Sequence, residues 1–197
     1  MKALSNSQSP KCLILATLLL VTVSILSGCK SYQLGSPAEL PFDSIYIQPV
    51  SNDSFAPQAQ ALLSAQLRDA FIRDGRTKLV TSAEAADAVL LVNLTEYDRR
   101  AAAFDSSDTE VASDFDLTLV AQVSLFDQNK GDYHFQERVL QESSNAYVSN
   151  PYANAAANTQ DFLQSEHKAM PRLTRDLARK IADEVLSPWQ PKNNTAR

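Results

Sequence analysis

The chain predicts an α+β fold, a two-layer sandwich with helices packed on one face of a hairpin ladder. Three observations carry the prediction. Residues 115–126 alternate apolar and polar side chains over a dozen positions, the mark of a half-buried strand. Two other segments, one opening at Pro57 and one running from Phe162 towards Trp189, repeat apolar residues at helical spacing. The elements follow one another as strand, helix, one or two strands, a long hairpin and helix, not as alternating βα units.

Each element has its own signal. Ser44–Val50 carries Ile45, Tyr46, Ile47 and Val50 and reads as the first strand; Pro49 places it at an edge or ends it, because proline donates nothing to a ladder. Pro57 suits the first turn of a helix. Ala59, Leu63, Leu67, Ala70 and Phe71 form its apolar stripe, and Gly75 supplies the stop, giving a helix of about 17 residues. Thr77–Val80 suggests a short strand. Asp87–Tyr97 starts as a solid apolar run and reads as an inner strand. Arg99 and Arg100 follow, then a loop over 104–114 with four acids, Asp105, Asp108, Glu110 and Asp114.

In 115–126, Phe115, Leu117, Leu119, Ala121, Val123 and Leu125 share one face. The segment DQNKG turns the chain, with Lys130 at the tip and Gly131 supplying positive φ. Tyr133–Val148 returns as a second long strand whose facing is poorly marked. Asn150–Asn158 is a turn. In the last helix Leu173, Leu177, Ile181 and Val185 form an i, i+4 stripe, with Met170 beside it. Pro171 interrupts it, so the sequence predicts a kink near 167–171 or a second helix opening there. Pro188 ends the helix, and residues 190–197 read as a disordered tail.

The N-terminus is a different kind of segment. Lys2 and Lys11 precede Cys12–Leu26, fifteen uncharged residues. That is short of the roughly 20 a transmembrane helix needs and fits a secretory signal. It runs into Leu26-Ser27-Gly28-Cys29, the form of a bacterial lipobox. There the cysteine thiol takes a diacylglyceryl group, and cleavage before Cys29 frees an amine for further acylation. Several chains anchor stably, each buried CH₂ contributing about 0.8 kcal/mol. Residues 1–28 are therefore expected to be removed, 29–43 to form a lipidated tether and 44–189 a single domain. Lys30 is not the aspartate that retains enteric lipoproteins in the inner membrane, so the expected location is the outer membrane, periplasmic side.

Loss of the signal removes Cys12, Lys2 and Lys11. No disulfide is then possible, and the formal net charge falls from −5 to −7. That charge argues against broad binding to nucleic acid or anionic membrane through a basic surface. Catalytic patterns are missing too. His134 and His167 have no histidine or cysteine at ligand spacing, no GxSxG or phosphate-cradling glycine loop occurs, and the acids of 105–114 lack an EF-hand's glycine and closing glutamate. No metal, no cofactor and no enzyme activity are expected.

The segments also match one family in order and spacing. The lipobox cysteine is followed by SYQLG, then LPFDSIYIQPVSNDSF, LRDAFIRDGRTKLV, AADAVLLVNLTEY, DFDLTLVAQVSLFD and LTRDLARKIADEVLSPW. Together they resemble the LptE family of lipopolysaccharide-assembly lipoproteins over most of residues 29–189. The resemblance implies two helices against a mixed, roughly four-stranded sheet. It implies a non-enzymatic partner and plug of the LptD-type outer-membrane β-barrel, assisting lipopolysaccharide on its way to the cell surface. The chain departs from the family in its loops. Where relatives carry basic residues that contact lipopolysaccharide, 104–114 is acidic and 150–158 holds no lysine or arginine. Arg99, Arg100 and Lys130 are the cations left to contact glycolipid or partner. The competing reading is an accessory lipoprotein of a peptidoglycan synthase or secretion channel; a periplasmic hydrolase is disfavoured by the lack of any nucleophile–base pair.

Overall fold

A computed structural model describes residues 40–104, 112–148 and 161–186, all within a compact unit that begins at Leu40. The chain is already in the core before Ser44, since Phe42 is 5 % exposed. Strand β1 (Ser44–Ile47) buries Ile45 and Ile47. The expected first strand then breaks at Pro49 and resumes as a two-residue strand, β2 (Ser51–Asn52). Proline here ends a strand instead of marking an edge: β1 is flanked by β3 on one side and β4 on the other.

Asn52 sets the turn that follows. Its side-chain oxygen accepts from the Ser54 amide at 2.9 Å, and its amide nitrogen donates to the Ala56 carbonyl at 3.1 Å. Helix α1 (Pro57–Asp74) opens with proline in its first turn and ends at Gly75, whose φ of 73° lets its N–H reach the Phe71 carbonyl at 3.1 Å. It buries Ala59, Leu63, Leu67 and Phe71, the predicted stripe without Ala70. Strand β3 (Lys78–Val80) returns parallel to β1.

Strand β4 (Ala88–Phe104) is longer than the sequence suggests. It runs seven residues beyond Tyr97, so Arg99 and Arg100 lie within a strand and not at its end. Its facing changes midway. Ala88, Leu90, Val92 and Leu94 point to the helices, but the register slips between Leu94 and Glu96, and Tyr97 takes up the inward face. Thr95 is the extra residue of a β-bulge. Without it, Glu96 and Asp98 would be driven into the core. Strand β5 (Ala112–Asp127) buries Leu117, Leu119, Ala121, Val123 and Leu125 as the alternation predicts.

Strand β6 (Asp132–Tyr147) completes the hairpin. Gly131 has φ 68°, and the Asp127 carboxylate accepts from the amides of Asn129 and Lys130 at 2.9 and 3.0 Å. A second bulge explains the obscure facing of β6. Glu137 sits at φ 51° and donates its amide to Ser124 Oγ at 2.9 Å, so Phe135 and Arg138, opposite Leu125 and Val123, share one face of the sheet, Phe135 half-buried and Arg138 exposed. The sheet order is β3-β1-β4-β5-β6, with β2 against β4, six strands instead of roughly four.

Helix α2 (Phe162–Leu186) is unbroken. Pro171 lies inside it and neither ends it nor starts a second helix. Proline has no N–H for the His167 carbonyl, but His167 is exposed and water can satisfy that oxygen. Met170, Leu173, Leu177, Ile181 and Val185 are buried. Both helices cover the same face; each fully buried leucine contributes about 1.5–3 kcal/mol. Helix α2 also guards the free edge of β6. Lys180 Nζ donates to the Gln141 carbonyl at 2.8 Å and pairs with Glu142 at 3.1 Å, while Ser165 Oγ donates to the Tyr147 carbonyl. Such blocking keeps an edge from pairing with a foreign strand.

Candidate functional site

The three cations picked out by the sequence sit in three environments. Arg99 and Arg100 are neighbours on β4, so they face opposite sides of the sheet. Lys130 is in the β5–β6 turn, at the other end of the hairpin. Arg100 pairs with Asp116 and Ala88 with Asp127 along β4–β5, so roughly 35 Å of strand separates the two ends.

Arg99 turns towards helix α2. Its guanidinium lies 2.7 Å from Glu166 Oε1 and stacks over the rings of Tyr97 and Phe162 at 5.1 and 5.5 Å. The Tyr97 hydroxyl donates to the same carboxylate oxygen at 2.7 Å. Phe115 meets Phe162 edge-on at 4.6 Å. Glu166 and Tyr97 are 5 % and 9 % exposed, so this is a largely buried polar cluster. Burial pushes the Tyr97 phenol above its ordinary pKa, and the Glu166 carboxylate adds to the rise. Burial opposes the charge on Arg99, but its bond with Tyr97 and the charge of Glu166 outweigh that and raise its pKa.

Arg100 projects from the uncovered face of the sheet. It makes one long ion pair, 3.3 Å to Asp98, and is largely exposed. Around it Glu96, Asp98, Asp116, Thr118 and Gln141 line a shallow depression of about 290 Å³. Asn145 Nδ2 bridges Asp114 and Asp116 at 3.0 and 3.1 Å. Lys130 pairs with Asp127 at 3.0 Å. Burial works against ionisation of Asp127, but the hydrogen bonds from Lys130 prevail and its pKa is lowered.

Cys29 and the loop residues 105–111 and 149–160 lie outside the described residues. Among the described residues no group of three or more histidine, cysteine or acidic side chains is placed to hold a metal, and no helix is long and apolar enough to cross a membrane. Tyr97 and Glu166 escaped the sequence reading. They stand 69 residues apart, and no local signal links them.

Fold and surface define a class: an α+β domain with two helices on one face of a mixed sheet and, among the described residues, a polar opposite face. The family model LptE, described as lipopolysaccharide-assembly, matches residues 42–185. The chain belongs to the LptE family and is an LptE-like lipoprotein. Among solved structures it is similar to a Xanthomonas campestris protein of family DUF330, at TM-score 0.51 and 10 % identity over 76 % of this chain and 88 % of that one. It is also similar to a minor lipoprotein of Acinetobacter baumannii (0.47, 18 %, 74 % and 92 %) and to lipoprotein B of Nitrosomonas europaea (0.47, 16 %, 79 % and 88 %). No curated protein matches the sequence.

Proposed function

We propose that the protein is an outer-membrane lipoprotein, anchored on the periplasmic side by lipid on Cys29. It partners and plugs an LptD-type β-barrel and assists lipopolysaccharide to the cell surface, without enzymatic activity of its own. The observation that carries this reading is the family match across the whole described domain. The domain suits the role, with a core closed by two helices and an outer face rich in acids that meets cationic groups of a barrel lumen. Arg100, free of the helix layer, is the cation on that face best placed to touch a lipopolysaccharide phosphate, with Lys130 at the opposite tip. Arg99 serves the same end indirectly, by holding α2 to β4.

A pull-down tests this. The full chain is tagged at its C-terminus, outer membranes are solubilised in mild detergent, and co-purifying proteins are identified by mass spectrometry. A large β-barrel in stoichiometric amount is expected, and Cys29→Ser is expected to abolish membrane fractionation. Recovery of a cell-wall synthase or a secretion component, with no barrel, would sink the proposal.

A further inference from the structure

We propose that the cleft between α1 and α2 is an anion site that takes a phosphate monoester or inorganic phosphate. The two helices lie side by side, and an open cleft of about 280 Å³ between them is lined by Arg73, Arg175, Arg179, Asp74 and Asp183. That volume is just below the range of drug-sized ligand sites, about 300 to 1,000 Å³, and it suits a headgroup fragment.

The charges in the cleft do not cancel among themselves. Asp74 is taken by Arg76, with Nε–Oδ1 at 2.7 Å and a second bond at 3.0 Å, and these bonds hold its carboxyl below the usual range. Arg76 also attracts Asp183. The three lining arginines are less well served. Among the described residues Arg73 donates only its Nε, to the Asp69 carbonyl at 3.1 Å. Arg179 reaches Asp176 at 3.4 Å, long for a charge-assisted bond, and Asp176 is shared with Arg172 at 3.8 Å. Arg175 has no hydrogen bond or ion pair among the described residues.

The spacing makes this an arrangement the fold does not require. Arg172, Arg175 and Arg179 repeat at i, i+3 and i+7 along α2, and like charges so placed repel by about 0.2–0.5 kcal/mol per pair. Arg73 brings a further cation to the same cleft from α1. In a chain of net charge −5, three arginines lining one cleft are relieved by an anion, and guanidinium forks match phosphate oxygens bidentately. The site lies on the helix layer, away from the sheet face that carries Arg100, and does not depend on the barrel partnership.

The full chain in neutral detergent and phosphate-free buffer is titrated with inorganic phosphate and, separately, with glycerol 3-phosphate, and the heat is measured. One saturable site is expected, weakening as salt rises. Arg175→Gln is expected to weaken it about tenfold with the melting temperature unchanged, because Arg175 holds nothing in the fold. Arg100→Gln is expected to leave it intact. Tighter binding of glycerol 3-phosphate identifies a lipid headgroup as the source; tighter or equal binding of inorganic phosphate identifies the free anion. Absence of saturable binding to either probe, or equal binding by wild type and the Arg175→Gln/Arg179→Gln double variant, overturns the site. Co-purification of a barrel by Arg175→Gln separates failure here from failure of the partnership.

Discussion

At the scale of the residue, the Glu166 carboxylate is the acceptor on which a buried polar cluster depends. It receives both the Tyr97 hydroxyl and the Arg99 guanidinium while nearly enclosed. Glu166→Ala is expected to destabilise the domain by about 2–3 kcal/mol, since it leaves a buried hydroxyl and a cation without their acceptor. Tyr97→Phe is expected to cost only about 1 kcal/mol, because donor and desolvation penalty leave together. Urea unfolding of both variants and of the double variant measures the coupling. The same cluster sets an alkaline limit. Tyr97 keeps its proton in the folded state where the unfolded chain releases it, so its contribution is complete below about pH 10 and falls as pH rises above that value. The alkaline loss of stability is expected to be shallower in Tyr97→Phe than in wild type.

Arg99 and Arg100 separate structure from function at the same scale. Arg99→Ala removes a guanidinium that stacks on two rings and meets Glu166, and it is expected to lower the melting temperature. Arg100→Ala loses one exposed, long ion pair and is expected to change stability by less than about 0.5 kcal/mol. Under the proposed function it is Arg100→Ala that weakens retention of lipopolysaccharide or barrel, measured by co-purification from outer membranes.

At the scale of the element, α2 carries a defect that its packing overrides. A proline inside a helix costs about 3 kcal/mol, yet the buried stripe from Met170 to Val185 holds the helix continuous through Pro171. Pro171→Ala is expected to stabilise the domain by about 1–2 kcal/mol, part of the gain being offset by a freer unfolded chain. Thermal melts of the two proteins check this. A fall in stability would show that Pro171 is needed where it stands. The two bulges act on the same scale. Thr95 in β4 and Glu137 in β6 each shift a strand by one position, and each rescues an inward pattern that strict alternation would lose.

At the scale of the whole molecule, Asp87 joins three distant parts of the chain. Its carboxylate accepts from the Ser44 hydroxyl at 2.7 Å and amide at 2.9 Å, and from Asn129 in the hairpin turn at 3.2 Å. The Ser44 hydroxyl, then Asn129, hold its pKa below the ordinary carboxylate value. A lowered pKa gives stability that is present above about pH 4 and lost as pH falls below it. Asp87→Asn is therefore expected to be less stable than wild type at neutral pH, with the difference closing as pH falls below about 4. Acid titrations of both proteins, followed by circular dichroism, read that convergence.

The sequence by itself determined the class of fold, both helices with their buried faces, the hairpin turn at Gly131, and the family. These rest on short-range physics: periodicity over a few turns, proline and glycine at helix ends, strict alternation in β5. The sheet order, the sixth strand, the continuation of β4 through Arg99 and Arg100, the meeting of Tyr97 with Glu166 and the arginine cleft were decided only by the tertiary structure. In each case the deciding contact joins residues far apart in sequence. A bulge also erases the period-two signal at the point where it matters, because one inserted residue exchanges the two faces of a strand. Burial then selects which face is kept, and that choice belongs to the packed core and not to any local stretch of chain.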